Sequence, residues 1–406
     1  MDTTRIKRLL LILGFILLVA AIILAVYYLF FKPLFRPGQQ GNQNTNQIGG
    51  GILPNINGNR PVGNANIKET PTSLPQVSVV ANGEATLAPD VSNQATGQAT
   101  LAPDGRNVVY YDSLEGTFVR LDPLTGKTSP ISSQKFPEVQ NITWAPDSTK
   151  AVLEFPDDRK IVYDFSAQKQ YTLPSQAQQF SFSEDSRNIA YSYVGATADE
   201  NYLVTTEYTG SGATPVAKLG DKAGQVQVAW SPSNDVIGLF HKGSELNRQE
   251  IIFIGQNQEN FKSLQTDGRG FRGKWTPDGA KLLYTVYSDA TNWNPELFLT
   301  YAQGDAIGQG NTDLGISTFV DKCTFNRAGT YAYCAVPDFL QRGSGLYPEL
   351  AFDAKDALYT INLETGASQQ IAQPVSSALD RFSIKSVFLS SDEATLFFTD
   401  ASNNHV

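Results

Sequence analysis

The 406-residue chain holds 41% hydrophobic and 17% charged side chains with 44 aromatics, so it can bury a large core, and wholesale disorder is excluded. Its net charge of −9 is uneven: residues 1–36 carry five basic side chains and one acid, while the remainder, with 26 basic and 39 acidic, carries −13 and disfavours a nucleic-acid partner. Two Cys and two His exclude a multi-ligand zinc cluster and a disulfide-dense scaffold, and no metal or other cofactor is expected.

Residues 1–8 read as a short cytoplasmic tail. From Leu9 to Phe31 run 23 positions without a charge or a proline, which as a helix would extend roughly 35 Å and span a bilayer. A cleavable signal peptide is the rival, but its apolar core is normally ~7–15 residues and ends at a small-x-small site. Here Val26, Tyr27, Tyr28 and Leu29 follow the alanine-rich stretch, so the segment reads as an uncleaved single-pass anchor. Arg5, Lys7 and Arg8 precede the span and Lys32 and Arg36 follow it, which favours a cytoplasmic N-terminus and an extracytoplasmic remainder. Residues 32–76 turn Gly/Asn/Gln-rich, with Pro54, Pro61, Pro71 and Pro75 and no hydrophobic period. They read as a flexible linker reaching on the order of 35 Å.

Residues 77–406 repeat one pattern: an apolar strand, a small polar corner, a second apolar strand. The corners are Leu101-Ala102-Pro103-Asp104-Gly105, Trp144-Ala145-Pro146-Asp147-Ser148, Phe182-Ser183-Glu184-Asp185-Ser186, Trp230-Ser231-Pro232-Ser233-Asn234, Trp275-Thr276-Pro277-Asp278-Gly279, Phe325-Asn326-Arg327-Ala328-Gly329 and Leu389-Ser390-Ser391-Asp392-Glu393. Ser or Thr suits the start of a type I turn, Pro presets φ, Asp bonds nearby backbone, and Gly tolerates positive φ where the next strand begins. Each corner therefore marks a hairpin. Intervals of 43, 38, 48, 45, 50 and 64 residues between corners suit four-stranded propeller blades. These corners resemble the Trp-Ser-Pro-Asp-Gly repeat of TolB-type β-propellers, relatives of the WD-repeat class. The resemblance implies an all-β β-propeller over 77–406, which the seven corners make seven-bladed; it is expected to follow the one transmembrane α-helix and flexible linker read above. It also implies a protein-interaction platform, and similar propellers are fused to serine peptidases. Completing the seventh blade needs outer strands, for which Gln76 to Ala81 and Ala85 to Leu87 are the candidates.

A peptidase would need a nucleophile elbow and a histidine base, but no Gly-x-Ser-x-Gly occurs and the histidines are His241 and His405 alone. No catalytic residue is assigned. Asp157-Asp158 and Asp199-Glu200 read as solvated surface acids, with cation binding or acid/base chemistry as the alternatives. Cys323 and Cys334 flank the sixth corner with equal parity; a cross-strand disulfide and two buried thiols both remain open. Trp144, Trp230 and Trp275 share one motif position and read as packing between blades.

Binding candidates come from the connections between second and third strands, which emerge on one face of a propeller. Asp289, Asn292 and Trp293 lie in the polar segment 288–295, and the longest connection, 337–356, contains Phe339, Arg342 and Tyr347. The connections 195–201 and 241–249 are expected beside them. Arg272, Lys322 and Lys385 begin innermost strands near the channel mouth, as a basic patch for an acidic segment or as scattered solvated cations. The sequence reads as a non-catalytic scaffold binding a protein or cell-envelope component and contacting the bilayer through residues 9–31. A gating subunit of a peptidase or hydrolase and a small-molecule or glycan sensor are the alternatives.

Overall fold

All seven polar corners adopt one backbone geometry. The N–H of the last corner residue donates to the carbonyl three residues earlier: Gly105 to Ala102, Ser148 to Ala145, Ser186 to Ser183, Asn234 to Ser231, Gly279 to Thr276, Gly329 to Asn326 and Glu393 to Ser390. That last residue is left-handed every time, with φ from 53° to 72°. Where the corner holds an aspartate, as at Asp104, Asp147, Asp185, Asp278 and Asp392, its Oδ1 accepts the N–H two residues on. The corners also touch one another. Ser391 N–H donates to the Gly105 carbonyl, Arg327 N–H to the Glu393 carboxylate and Asp147 N–H to the Ser186 hydroxyl. A Cβ at Gly105 would collide with Ser391, so both the left-handed φ and the close approach require glycine there.

The computed structural model describes residues 77–406 except Gln258; the expected tail, membrane span and linker over 1–76 lie outside the described residues. Among the described residues no helix is long and apolar enough to cross a membrane. The architecture is an all-β propeller of six blades, five of them four-stranded and the sixth carrying one strand more. In the first blade the strands Thr96–Leu101, Val108–Asp112, Thr117–Leu121 and Thr128–Pro130 lie in chain order from the inside outward, each antiparallel to the next. The next four blades occupy 141–173, 177–218, 226–266 and 269–313. The sixth comprises Cys323–Phe325, Tyr331–Pro337, Asp356–Asn362 and Ser368–Val375.

The expected count of seven blades is corrected to six. The seventh repeat forms only a two-stranded sheet, Ile384–Leu389 against Leu396–Asp400. The predicted closing strand Ala85–Leu87 does not complete it. That strand lies parallel to Ser368–Val375 and becomes a fifth strand of the sixth blade, in the register Ala85 with Gln373 and Leu87 with Val375. Backbone bonds from Gly83 to Ile371 and from Ala88 to Val375 fix it there. The stretch that follows cannot extend the hairpin regularly. Pro89 has no N–H, and the N–H groups of Val91 and Ser92 are both committed to the Val406 carbonyl.

Each blade interface is an apolar seam. Between the first two blades, Tyr111, Phe118, Phe136, Ile142, Leu153, Tyr163 and Phe165 form one buried cluster, with Trp144 packed against it. Trp230 is buried and Trp275 packs against the next such cluster, so the three motif tryptophans do pack between blades. Side chains on inner strands then bridge to the next unit's backbone. The Ser181 hydroxyl accepts Trp230 N–H at 2.9 Å, Gln227 donates to the Gly273 carbonyl at 3.2 Å, and Lys274 Nζ donates to the Cys323 carbonyl at 2.6 Å. Inner strands of adjacent blades share no ladder, so these bonds satisfy groups the sheets leave open.

Cys323 and Cys334 sit directly opposite each other, their Cα atoms 4.1 Å apart, and are joined by a disulfide. Both are fully buried in the sixth blade. Replacing both with alanine is expected to lower stability by about 2–4 kcal/mol, read as a lower urea midpoint. A midpoint equal to wild type would show that the ladder alone holds these strands.

Candidate docking face

The connection in the fourth blade is a tight hairpin: Glu245 pairs with Arg248, leaving Leu246 and Asn247 at the tip. Asn247 Nδ2 donates to Asp289 Oδ1 at 2.7 Å, which ties this tip to the fifth blade. There, residues 288–295 are wound around Thr291, whose hydroxyl bonds to the Ser288 amide, the Ser288 carbonyl and the Asn294 carbonyl. The winding forces Asn292 and Trp293 into the left-handed region at φ 56° and 60°. Two successive non-glycine residues there, one of them tryptophan, are a strained arrangement that the surrounding bonds hold in place.

The strain turns two carbonyls toward the sixth blade. Gly343 N–H donates to Asn292 O at 3.0 Å and Gly345 N–H to Trp293 O at 2.8 Å, while Ser344 N–H reaches Asn294 Oδ1 at 3.3 Å. Gly345 is obligatory, because a Cβ there would lie 2.6 Å from the Tyr287 Cβ and 2.7 Å from the Trp293 carbonyl. The loop 338–355 continues through the short helix Glu349–Phe352. Arg381 ties the two ends of this loop together: it forks onto the Asp338 carboxylate where the loop begins and donates to the Asp356 carbonyl at 2.7 Å where it ends. Three connections are thereby fused into one platform.

Five large apolar side chains stand exposed on it or at its edge: Leu246, Phe339, Leu346, Tyr347 and Leu379, with Phe339 72% and Tyr347 59% accessible. Arg342 is exposed among them. Trp293 is half-buried, its ring 6.3 Å from that of Tyr287, so it braces the platform as well as facing it. Of the residues expected at a binding face, Asp289, Asn292, Trp293, Phe339, Arg342 and Tyr347 are brought onto this platform. The segment 195–201 is not bonded into it; its polar contacts stay with the third blade and its exit, through Asp199 with Lys218 and Asn201 with Gly220. Leu246, Leu346 and Leu379 were not expected. Leu246 is signalled as an isolated apolar residue inside a polar stretch, whereas Leu346 beside Tyr347 and Leu379 after Ala378 carry no such signal.

The basic residues separate. Arg272 pairs with Asp321 at 2.9 Å and lies over the Phe319 ring, and Lys385 is exposed with its Nζ 3.3 Å from Asn404 Oδ1. Lys322 corrects the expectation of a channel-mouth cation. It is fully buried, and its Nζ lies 2.7 and 2.9 Å from the two oxygens of the equally buried Asp356. Burial pushes Lys322 down and Asp356 up, while their mutual attraction opposes both shifts. The short segment Val320–Lys322 turns the lysine inward ahead of its strand, a local geometry that residue type does not announce.

His241 packs its ring edge-on to Phe271, and its Nε2 has no hydrogen-bond partner. Burial pushes it down to about 4, so it is neutral at pH 7. His405 lies 3.6 Å from Asp90 where the chain closes the ring. Among the described residues no group of three or more His, Cys, Asp or Glu is gathered as a metal site.

No protein-family model matches the chain, and no curated protein does. Among solved structures it is similar to an oligogalacturonate lyase in complex with manganese, with a TM-score of 0.52 and 14% identity over 76% of this chain and 86% of that one. TolB from Acinetobacter baumannii aligns with a TM-score of 0.43 and 13% identity, over 64% of this chain and 62% of that one. Hydrazine synthase from Kuenenia stuttgartiensis aligns with a TM-score of 0.48 and 12% identity, over 82% and 97%. At such identities the likeness to the lyase concerns the fold alone.

Proposed function

We propose that the propeller is a non-catalytic docking scaffold at the cell envelope, held to the membrane by residues 9–31, with the fused connections of the fourth to sixth blades as the surface that receives a protein partner. The observation that carries this reading is the platform itself. Exposed aromatic and aliphatic side chains stand on a loop that hydrogen bonds and a strained turn hold rigid, so docking would order little new structure. Two further features support the location. The apolar run of 23 residues is long enough for a span, and the Cys323–Cys334 disulfide suits an oxidising compartment. The acidic balance of the chain beyond residue 36 argues for a protein or envelope component rather than a nucleic acid.

The test is quantitative capture of envelope proteins by the solubilised full-length chain, with the recovered partner then titrated in pure form. Phe339→Ala with Tyr347→Ala is expected to weaken that titration at least about tenfold, because exposed interface aromatics contribute about 2 kcal/mol or more where they anchor a complex. Equal affinity of wild type and variant would remove the platform as the docking surface.

A further inference from the structure

Asp356 stands where three parts of the molecule meet. Its carboxylate takes both contacts from Lys322 Nζ, and its Oδ2 also accepts the backbone N–H of Ile384 at 2.6 Å. Ile384 opens the inner strand of the two-stranded seventh unit. Asp356 N–H donates to the Phe382 carbonyl at 3.0 Å, and its own carbonyl accepts Arg381. Lys322 completes the junction from the other side, with Nζ 3.5 Å from the Ala351 carbonyl and 5.6 Å from the centre of the Phe352 ring, both in the platform loop. Neither charged side chain has any solvent exposure. Two ions taken wholly out of water are a costly way to gain stability, since a well-packed apolar pair would serve as well or better. What the pair supplies that an apolar pair cannot is direction: a fixed fork between the loop and the incomplete seventh unit.

We infer that Lys322 and Asp356 are positioning residues that make the platform loop 338–355 and the closing hairpin 384–400 one coupled unit. A partner seated on Phe339 and Leu379 therefore also tightens the place where the ring is least complete. By linkage, loosening that hairpin weakens docking by the same factor. This consequence rests on the docking reading above, but the coupling itself is measured without any partner.

The experiment is hydrogen exchange on the full-length solubilised protein, read in peptides covering 338–355 and 386–399. Their amides, including those of Gly343 and Gly345, do not bond to the pair. Three variants are compared with wild type: Asp356→Asn, the apolar double Lys322→Met with Asp356→Leu, and Leu203→Ala as a distant core lesion in the third blade. The double is expected to retain a near wild-type melting temperature and to exchange at least about tenfold faster in both segments, with Asp356→Asn accelerating both together. Leu203→Ala is expected to leave both segments within about twofold of wild type. Wild-type exchange in either segment of the Asp356→Asn protein would overturn the coupling, as would equal acceleration by Leu203→Ala.

Discussion

Asp356→Ala is expected to destabilise the propeller by about 3–5 kcal/mol, among the largest losses available to one substitution in this chain. The ion is fully buried, so its removal leaves the Lys322 ammonium in a dry site with only the Ala351 carbonyl within reach, at 3.5 Å. It also orphans the Ile384 N–H, which loses its acceptor. Both penalties fall on the folded state alone. Urea unfolding of the two proteins measures the difference, and a loss below about 1 kcal/mol would mean that water enters the site and the pair is not dry.

Phe118→Ala is expected to cost a comparable amount, about 3–5 kcal/mol, for a different reason. Phe118 has no exposed surface and is the hub of the first seam. Its ring lies 5.1 Å from Tyr111, 5.8 Å from Phe136, 5.6 Å from Trp144 and 4.9 Å from Phe165, mostly edge to face. Tyr111 and Trp144 are held in strands of two different blades, and Phe136 and Phe165 are packed in the same buried cluster, so filling the void would pull them out of existing contacts. Removing the ring loses the transfer free energy and leaves a cavity that the sheets cannot close. The same urea titration reports it, with the midpoint falling at constant slope. Full retention of stability would show that Trp144, stacked on Phe165 at 5.3 Å, swings into the gap.

The two effects differ in how far a reader of the sequence could anticipate them. Phe118 sits in the third strand that follows a recognised corner, and an apolar residue at that place in a propeller repeat is expected to face a neighbouring blade. Lys322 gives no such signal. Next to Cys323 at the start of an inner strand it reads as an edge cation, and only its approach to Asp356, 34 residues later, reveals a buried charge. The platform lies between these cases. The connections 288–295 and 338–355 are recognisable as polar and extended, whereas the expected connection 241–249 is mostly strand with a two-residue tip; that the three bond into one surface while 195–201 stays apart depends on which carbonyls a strained turn presents.

What the chain determined by itself is the unit. Turn chemistry and strand alternation act over a few residues, so seven corners with one φ signature, and the hairpins around them, follow directly from local composition. What tertiary structure decided is the count and the closure. Whether Ala85–Leu87 joins the seventh repeat or the outer edge of the sixth blade depends on a pairing across nearly three hundred residues, and the edge of Ser368–Val375 offered it a parallel register. A strand's own sequence fixes which face it buries but not which free edge it will find, so the ring has six blades and a hairpin where the repeats promised seven.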